Sequence, residues 1–448
     1  MSDKNYDLIV IGAGPGGYLA AERAGALGKD VLIIEKEKTL GGVCLNKGCI
    51  PTKTLLNSAK IFYKAQNSEM YGVTVSGAKY DFDKAMAWKG KVVNLMTKGV
   101  AYKMKSNKVT TLYGEAKFVD KNTVSVNEEL YSGKNIIIAT GSSPMSIPIE
   151  GIDQPHVITS DEVFNIKELP QNLVIIGGGV IGLEFASYFS MIGVNVTVLE
   201  MLPEVIPHVD TEIAKMLRTS LSNCNVLTNV KAQKIKKNNV IYFQDGKEVS
   251  CKADLVLLAT GRIPNVKELG LEDINLEFNK NGIVVNDKMK TNLPNVYAVG
   301  DVTGKSLLAH SAYRMGEVAV STMFGGSDRM RYNAVPWAIY TNPELSGVGL
   351  TEEDAIKKGY NIKVSTMQLR ANGRFYAEHG NEKGLCKVVV DSDTELLLGV
   401  FILGGVSSEI IHSAAIMIES ELRVQDIKEI IFPHPTVSEA IKDTLWDL

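Results

Sequence analysis

Short runs of consecutive apolar residues, closed by glycines or by an acidic residue, alternate along much of the chain with longer stretches of helical spacing. Residues 6–11 read as a buried parallel strand running straight into Gly12-Ala13-Gly14-Pro15-Gly16-Gly17, and an alanine-rich helix follows over 18–27. Residues 31–34 form the next strand, which Glu35 ends. The pattern recurs as a strand over 173–176, Gly177-Gly178-Gly179-Val180-Ile181-Gly182, a helix through Phe189, a strand over 195–199, and Glu200. In both copies the acidic residue follows the first glycine by 23 positions. A single glycine-rich turn has many structural uses. Two of them, each between strand and helix and each with an acid at one offset, point to two dinucleotide-binding units.

The chemistry of each copy is the same. Gly12 and Gly177 permit the tight turn, Gly14 and Gly179 let the backbone approach a pyrophosphate, and Gly17 and Gly182 let helix and strand pack closely. Phosphate then sits on a helix N-terminus. Glu35 and Glu200 are placed to accept hydrogen bonds from ribose hydroxyls. No arginine lies in Met201-Leu202-Pro203-Glu204, which favours NAD over NADP. Two further strands, 136–138 leading to Thr140-Gly141 and 255–258 leading to Thr260-Gly261, are expected to close the two units. The chain returns in a strand over 295–299, ending in Gly300-Asp301 with a carboxylate at the ligand-binding end of a sheet. From Val335 the character changes to antiparallel strands, 385–391 and 395–401, joined by Ser392-Asp393-Thr394. A helix over 408–419 carries Ile410, Ile411, Ala414, Ala415, Met417 and Ile418, a wide apolar surface for its own sheet or for a second subunit.

Length and composition narrow the function. The 448 residues suit about three compact units, and 45% hydrophobic with 22% charged residues excludes disorder, collagen and coiled coil. A net charge of −3 supplies no broad reason to bind nucleic acid or an anionic membrane. No apolar run approaches the ~18 residues that span a bilayer. Asp3, Lys4 and Asp7 precede a brief apolar stretch without the regions of a signal peptide, so the expected location is cytoplasmic. Five cysteines are an odd and sparse set that implies no disulfide framework.

Two of them, Cys44 and Cys49, lie in Gly41-Gly42-Val43-Cys44-Leu45-Asn46-Lys47-Gly48-Cys49-Ile50-Pro51-Thr52-Lys53. Five residues of regular helix rise about 7.5 Å, beyond the ~4.4–6.8 Å between alpha carbons that a disulfide needs, so a bridge requires a distorted turn. Gly48, Gly41 and Gly42 allow one. A zinc site needs four ligands, and Cys224, Cys251 and Cys386 stand alone. Redox chemistry, zinc and two inert thiols are the readings at this point. Near the C-terminus His434 precedes Pro435, which favours extended backbone, and Thr436-Val437-Ser438-Glu439 reads as a capping box opening the last helix.

The cysteine stretch resembles the redox-active site of the pyridine nucleotide-disulfide oxidoreductases. The resemblance extends over nearly the whole chain through Gly177 to Glu184, Ala259-Thr260-Gly261-Arg262, Val299-Gly300-Asp301, Leu308-Ala309-His310, Ala371-Asn372-Gly373-Arg374 and His434 to Glu439. It implies an α/β fold of two Rossmann-like dinucleotide-binding domains, a central domain and a C-terminal α+β dimerisation domain. The expected boundaries are 1–145 for FAD, 146–264 for NAD, 265–334 for a central domain completing the FAD site, and 335–448 for the interface of a homodimer. The resemblance further implies a redox-active Cys44–Cys49 disulfide, a Lys53–Glu184 pair beside the flavin's hydride-accepting nitrogen, and Asp301 on the ribityl chain. Ala309 and His310 would start a helix that stabilises negative charge on the flavin, and Gly114 matches an adenine-contacting position. His434, oriented by Glu439, would reach the cysteine pair of the other subunit as a base. No metal is implied. Among family members the wording is closest to those that oxidise protein-bound dihydrolipoamide with NAD. The partner implied is a lipoyl domain of a 2-oxo acid dehydrogenase complex or of the glycine cleavage system. Two departures stand out: Val43 occupies a position where threonine is common, and Tyr313-Arg314-Met315 replaces a usual acidic run.

Overall fold

The computed structural model describes residues 5–221 and 224–448, so Asp3 and Lys4 lie outside the described residues. The run over 6–11 is divided at Asp7. Asn5–Tyr6 joins a side sheet, while Leu8–Ile11 is the middle strand of a five-stranded parallel sheet. The Asp7 carboxylate fixes the bend by accepting from Asp30 N–H at 3.0 Å and Lys134 Nζ at 2.8 Å. In spatial order that sheet runs Val296–Ala298, Ile136–Ile138, Leu8–Ile11, Val31–Glu35, Thr110–Tyr113. Leu8–Ile11 and Val31–Glu35 are buried throughout, as parallel strands covered on both faces must be. Helix α1 (Pro15–Ala26) follows the first glycine turn, α2 (Gly42–Lys47) and α3 (Cys49–Gln66) carry the cysteines, and α4 (Phe82–Ser106) leads to the edge strand.

The second unit repeats this plan with the order Val157–Thr159, Leu255–Leu258, Asn172–Ile176, Asn195–Leu199, Cys224–Leu227, again all parallel. Its helices are α5 (Val180–Met191) and α6 (Thr211–Ser220). The expectation that the strands at 136–138 and 255–258 close their units is corrected: each is paired on both sides. Val157–Thr159 and Val296–Ala298 form those edges instead. A buried apolar triplet reads the same at an edge or one place inside it, so hydropathy cannot distinguish the two. The return of the chain at 296–298 also brings α7 (Ala309–Met323) against α1, within one hydrophobic core that includes Leu271, Val302 and Met315.

The last part is a five-stranded antiparallel sheet, ordered Trp337–Ile339, Leu345–Gly349, Leu397–Leu403, Leu385–Asp391, Ile362–Gln368. Its hairpin strand starts at Leu397 rather than at Glu395, because Glu395 takes φ +60° and the turn is held by a Thr394 hydroxyl bonded to Asp391. Helix α8 (Glu352–Lys357) flanks it, and α9 (Ser407–Glu419) buries Ile411, Ala414, Ala415, Met417 and Ile418 in a core shared with that sheet. The chain ends in α10 (Glu439–Trp446). Apolar cores tie the units together. Leu55, Leu56 and Ala59 of α3 share a core with Phe185, Ala186 and Phe189 of α5, and Ile213 and Leu217 of α6 share one with Leu345, Leu385 and Phe401. No helix among the described residues is long and apolar enough to cross a membrane.

Candidate active site

The two glycine turns have matching geometry. Gly12 and Gly177 take φ +99° and +112°, and a Cβ on either would lie 2.4 Å from a carbonyl oxygen, that of Ala139 or Ala259. A Cβ on Gly17 would lie 1.9 Å from the Gly12 oxygen, and one on Gly182 would lie 2.1 Å from that of Gly177. The second glycines differ: Gly14 meets nothing nearer than 3.9 Å and Gly179 nothing within 4 Å. Open space therefore faces the first turns of α1 and α5, whose N-termini lack side-chain caps. Each is a cradle with N–H groups to offer a pyrophosphate, so the residues fit two dinucleotides.

Glu35 Oε2 accepts from Ala13 N–H at 2.9 Å, and Glu200 Oε2 accepts from Gly178 N–H at 2.6 Å, the equivalent place in each turn. The second oxygens accept from Glu37 N–H and Leu202 N–H. A carboxylate oxygen has two acceptor sites, so both residues keep capacity for a ribose hydroxyl. Gly114 donates its N–H to the Glu35 carbonyl at 2.9 Å, which places it beside the same strand end. Folding brings Arg218 of α6 to the loop after Glu200, where sequence order showed no arginine. Its guanidinium is bound to Glu204 at 2.7 and 3.0 Å.

The cysteine segment packs directly on the first glycine turn: a Cβ on Gly42 would lie 2.5 Å from Gly14 Cα. Gly41 and Gly42 turn the chain with φ +109° and +59°, and Gly48, at φ −146° and ψ −109°, breaks the helix between Cys44 and Cys49. This is the distortion that lets the pair approach. The thiols hydrogen-bond to each other, which lowers the Cys49 pKa to about 7, burial opposing and Lys53 assisting. The same bond, together with burial, pushes Cys44 up. One turn along α3, Lys53 Nζ bonds Glu184 of α5 at 2.8 and 3.0 Å. Glu184 is 4% exposed and also accepts from Tyr340 N–H at 3.0 Å, so Lys53 sits against a fixed carboxylate rather than in a loose surface pair.

At the carboxyl end of Val296–Ala298, Asp301 accepts from Ser142 Oγ at 2.6 Å, and burial raises its pKa against the opposing effects of Ser142 and Arg262. Ser142 in turn accepts from Arg262 Nε at 2.8 Å. Thr140 Oγ1 donates to the Asn265 carbonyl at 2.8 Å, and Gly141 and Gly261 turn with φ +69° and +118°, joining the ends of both sheets. Ala309 begins α7. His310 Nε2 lies 2.7 Å from the Pro336 carbonyl, so that nitrogen carries a proton, and loss of surrounding water lowers the ring's pKa. Each of the three unusual residues on α7 has a partner. The Tyr313 and Tyr18 hydroxyls bond, Arg314 binds Asp328 at 2.6 Å, and Met315 Sδ accepts from Gly300 N–H at 3.2 Å.

His434 stands apart from this assembly. Its side chain is 81% exposed, and its Nδ1 lies 2.9 Å from Glu439 Oε1. Glu439 Oε2 accepts from Thr436 N–H at 2.7 Å, and these two contacts hold its pKa below the usual carboxylate range. The expected capping box is only half formed: the Ser438 side chain makes no cap bond, and the Thr436 hydroxyl bonds Pro433 O and Ser438 instead of the helix start. Among the described residues no group of three His, Cys, Asp or Glu side chains is arranged to hold a metal ion. Sequence reading missed Ser142, Asn265 and Tyr340. None lies in a local motif, and only the joining of distant strand ends brings them to the site.

Residues 6–316 match the family model "Pyridine nucleotide-disulphide oxidoreductase", and residues 335–445 match that family's dimerisation domain. The chain is 41% identical to a dihydrolipoyl dehydrogenase of Thermus scotoductus, covering 98% of this chain and 96% of that one. It is 38% identical to a dihydrolipoyl dehydrogenase of Bacillus subtilis, covering 97% and 94%. Among solved structures, the HOCl-induced flavoprotein disulfide reductase RclA from Escherichia coli, in its Cu(II) complex, superposes with a TM-score of 0.89 at 30% identity, covering 99% of this chain and 100% of that one.

Proposed function

Because the chain belongs to the pyridine nucleotide-disulphide oxidoreductase family, we propose that it oxidises protein-bound dihydrolipoamide to lipoamide with NAD as acceptor, the activity of a dihydrolipoyl dehydrogenase. It is a flavoprotein oxidoreductase that uses FAD and NAD. The observation that carries the reading is the packing of Cys44 and Cys49 on the first glycine turn, with the Lys53–Glu184 pair one helical turn away. In this proposal FAD occupies the first cradle, NAD the second.

A thiolate of dihydrolipoamide attacks Cys44 Sγ of the Cys44–Cys49 disulfide, and His434 of a partner subunit takes the thiol proton. The S–S bond breaks, a mixed disulfide forms at Cys44, and Cys49 leaves as a thiolate. The Lys53 ammonium one helical turn away favours the thiolate that leaves. The second substrate thiol then displaces Cys44, releasing lipoamide and leaving a reduced cysteine pair. Bound FAD supplies the two-electron chemistry that links this pair to NAD. Lys53 holds positive charge at the site, Glu184 fixes that lysine, and Asp301 offers a carboxylate to the ribityl hydroxyls. Glu439 orients the imidazole of His434. The partner is a lipoyl domain of a 2-oxo acid dehydrogenase complex or of the glycine cleavage system, met in the cytoplasm. Steady-state turnover of the FAD-loaded protein with dihydrolipoamide, glutathione disulfide and mercuric ion tests the assignment. Preference for either of the latter two would overturn it.

A further inference from the structure

We infer that Tyr340 is a positioning residue for hydride exchange, its ring and its backbone N–H together holding both members of the Lys53–Glu184 pair toward the bound flavin. The inference rests on the reading of that pair given above. Tyr340 follows Trp337–Ile339 in the C-terminal part of the chain, far in sequence from either partner. Its ring centroid lies 4.4 Å from Lys53 Nζ, and its N–H donates to Glu184 Oε1 at 3.0 Å. The ammonium is therefore in contact with both a carboxylate and an aromatic ring.

The next few residues are pinned on three sides. Asn342 N–H donates to Ser187 Oγ at 3.0 Å, three residues beyond Glu184 on α5. Lys60, two turns along α3 from Lys53, binds Glu344 Oε1 at 2.8 Å, and Ser408 Oγ on α9 binds Glu344 Oε2 at 2.8 Å. Thr341 is fully buried, with its hydroxyl on the Pro343 carbonyl at 2.6 Å. A segment fixed to α3, α5 and α9 has little freedom to release the ring. Lysine, by contrast, carries its charge on a flexible four-carbon stem, so the ammonium stays in place only if its surroundings hold it. A partly desolvated cation–π contact is worth a factor of about 5 to 30 in population of the held conformer. Tyr340 thus makes the C-terminal domain part of the hydride end of the site within one chain.

The test uses the FAD-loaded protein and four variants. Tyr340→Leu removes the ring and keeps the backbone N–H, Tyr340→Phe keeps the ring, and pentafluorophenylalanine at position 340 keeps its shape but reverses its quadrupole. At saturating NADH, the stopped-flow rate constant for flavin bleaching should fall about 5- to 30-fold in the leucine and pentafluoro variants. It should stay within about twofold in Tyr340→Phe, with the apparent Kd for NADH unchanged in all three. In the apoprotein labelled with 13C-lysine, the Lys53 ε-methylene resonance should be ring-shifted in the native chain and in Tyr340→Phe, and unshifted in Tyr340→Leu. Lys53→Met separates the two levels of argument. A native rate in Lys53→Met would overturn the reading of the pair. A slow Lys53→Met beside a native rate in Tyr340→Leu, or a pentafluoro variant that behaves like Tyr340→Phe, would overturn the inference alone.

Discussion

Lys387 joins the second nucleotide-binding unit to the C-terminal sheet, and removing its charge should loosen that junction specifically. The side chain, on strand Leu385–Asp391, is 5% exposed and binds Asp210 Oδ2 at 2.6 Å and Glu352 Oε2 at 2.9 Å. Asp210 is 10% exposed and also caps α6, its Oδ1 accepting from Glu212 N–H at 3.1 Å and from Ile213 N–H at 3.4 Å. Removing one partner of a buried ion pair costs about 3–5 kcal/mol, because the other charge stays buried without compensation. Glu352 is 44% exposed and can turn to water, so the lower end, about 3 kcal/mol, is expected for Lys387→Met. Asp210→Asn keeps a good helix cap and leaves Lys387 with Glu352, and should cost about 1 kcal/mol. In the double variant no unpaired carboxylate remains at position 210, so it should be less damaged than Lys387→Met alone.

A multidomain flavoprotein does not unfold in one step, so the assay is native-state hydrogen exchange read by mass spectrometry. A loss of about 3 kcal/mol speeds exchange of α6 and of Leu385–Asp391 about 150-fold, while the sheet around Leu8–Ile11 should not change. Burial alone would lower the Lys387 pKa, but the bonds to Asp210 and Glu352 outweigh it, and the net shift is upward from 10.5. A raised lysine pKa means the contribution is complete below pH 10.5 and is lost as pH rises through the higher folded value. The difference between native and variant should therefore be flat from about pH 6 to pH 9. Exchange in Lys387→Met within about threefold of native, or strict additivity in the double variant, would refute the reasoning.

Three further outcomes follow from the site. Cys49→Ser should retain FAD yet abolish lipoamide turnover, while artificial acceptors that draw on flavin directly continue to be reduced by NADH; native lipoamide turnover would remove Cys49 from the mechanism. In the reduced native protein the first thiol to ionise should do so near pH 7, so thiolate absorbance grows above that pH and is lost below it, and an onset above pH 9 would contradict the assigned cause. Cys44→Ser and His434→Gln, each inactive alone, should complement on subunit exchange to about a quarter of native activity, since half the dimers are hybrid and each hybrid has one intact site; no recovery under proven exchange would mean that His434 does not act across a dimer.

What could be read from the chain divides by sequence distance. The glycine turns and the acidic residues 23 positions on are legible because one strand-turn-helix-strand unit contains all of their geometry, and the cysteine pair because its two members stand five residues apart among glycines. Ser142 on Asp301, Tyr18 on Tyr313, Tyr340 on Glu184 and Lys387 on Asp210 are separated by 159, 295, 156 and 177 residues. No periodicity requires any of them. They depend on which strand lies beside which, and the edge strands at 157–159 and 296–298 show that hydropathy does not determine that order. The Lys53–Glu184 pair spans 131 residues and was reached only through the resemblance.

His434 shows the limit from the other side. A carboxylate bonded to both the imidazole and a backbone N–H fixes its ring, which limits its freedom to rotate, yet the side chain is 81% exposed within its own chain. An ordinary surface histidine needs no such support, and a glutamate in a capping box needs only the helix start as its partner. Glu439, however, spends one oxygen on Thr436 N–H and the other on the ring. The missing half of the cap is the Thr436 hydroxyl's, so the carboxylate completes its own capping bond with one oxygen and commits the other to orienting an outward-facing imidazole. That division is intelligible if the group the ring serves lies on another molecule. The subunit-exchange experiment tests that consequence directly.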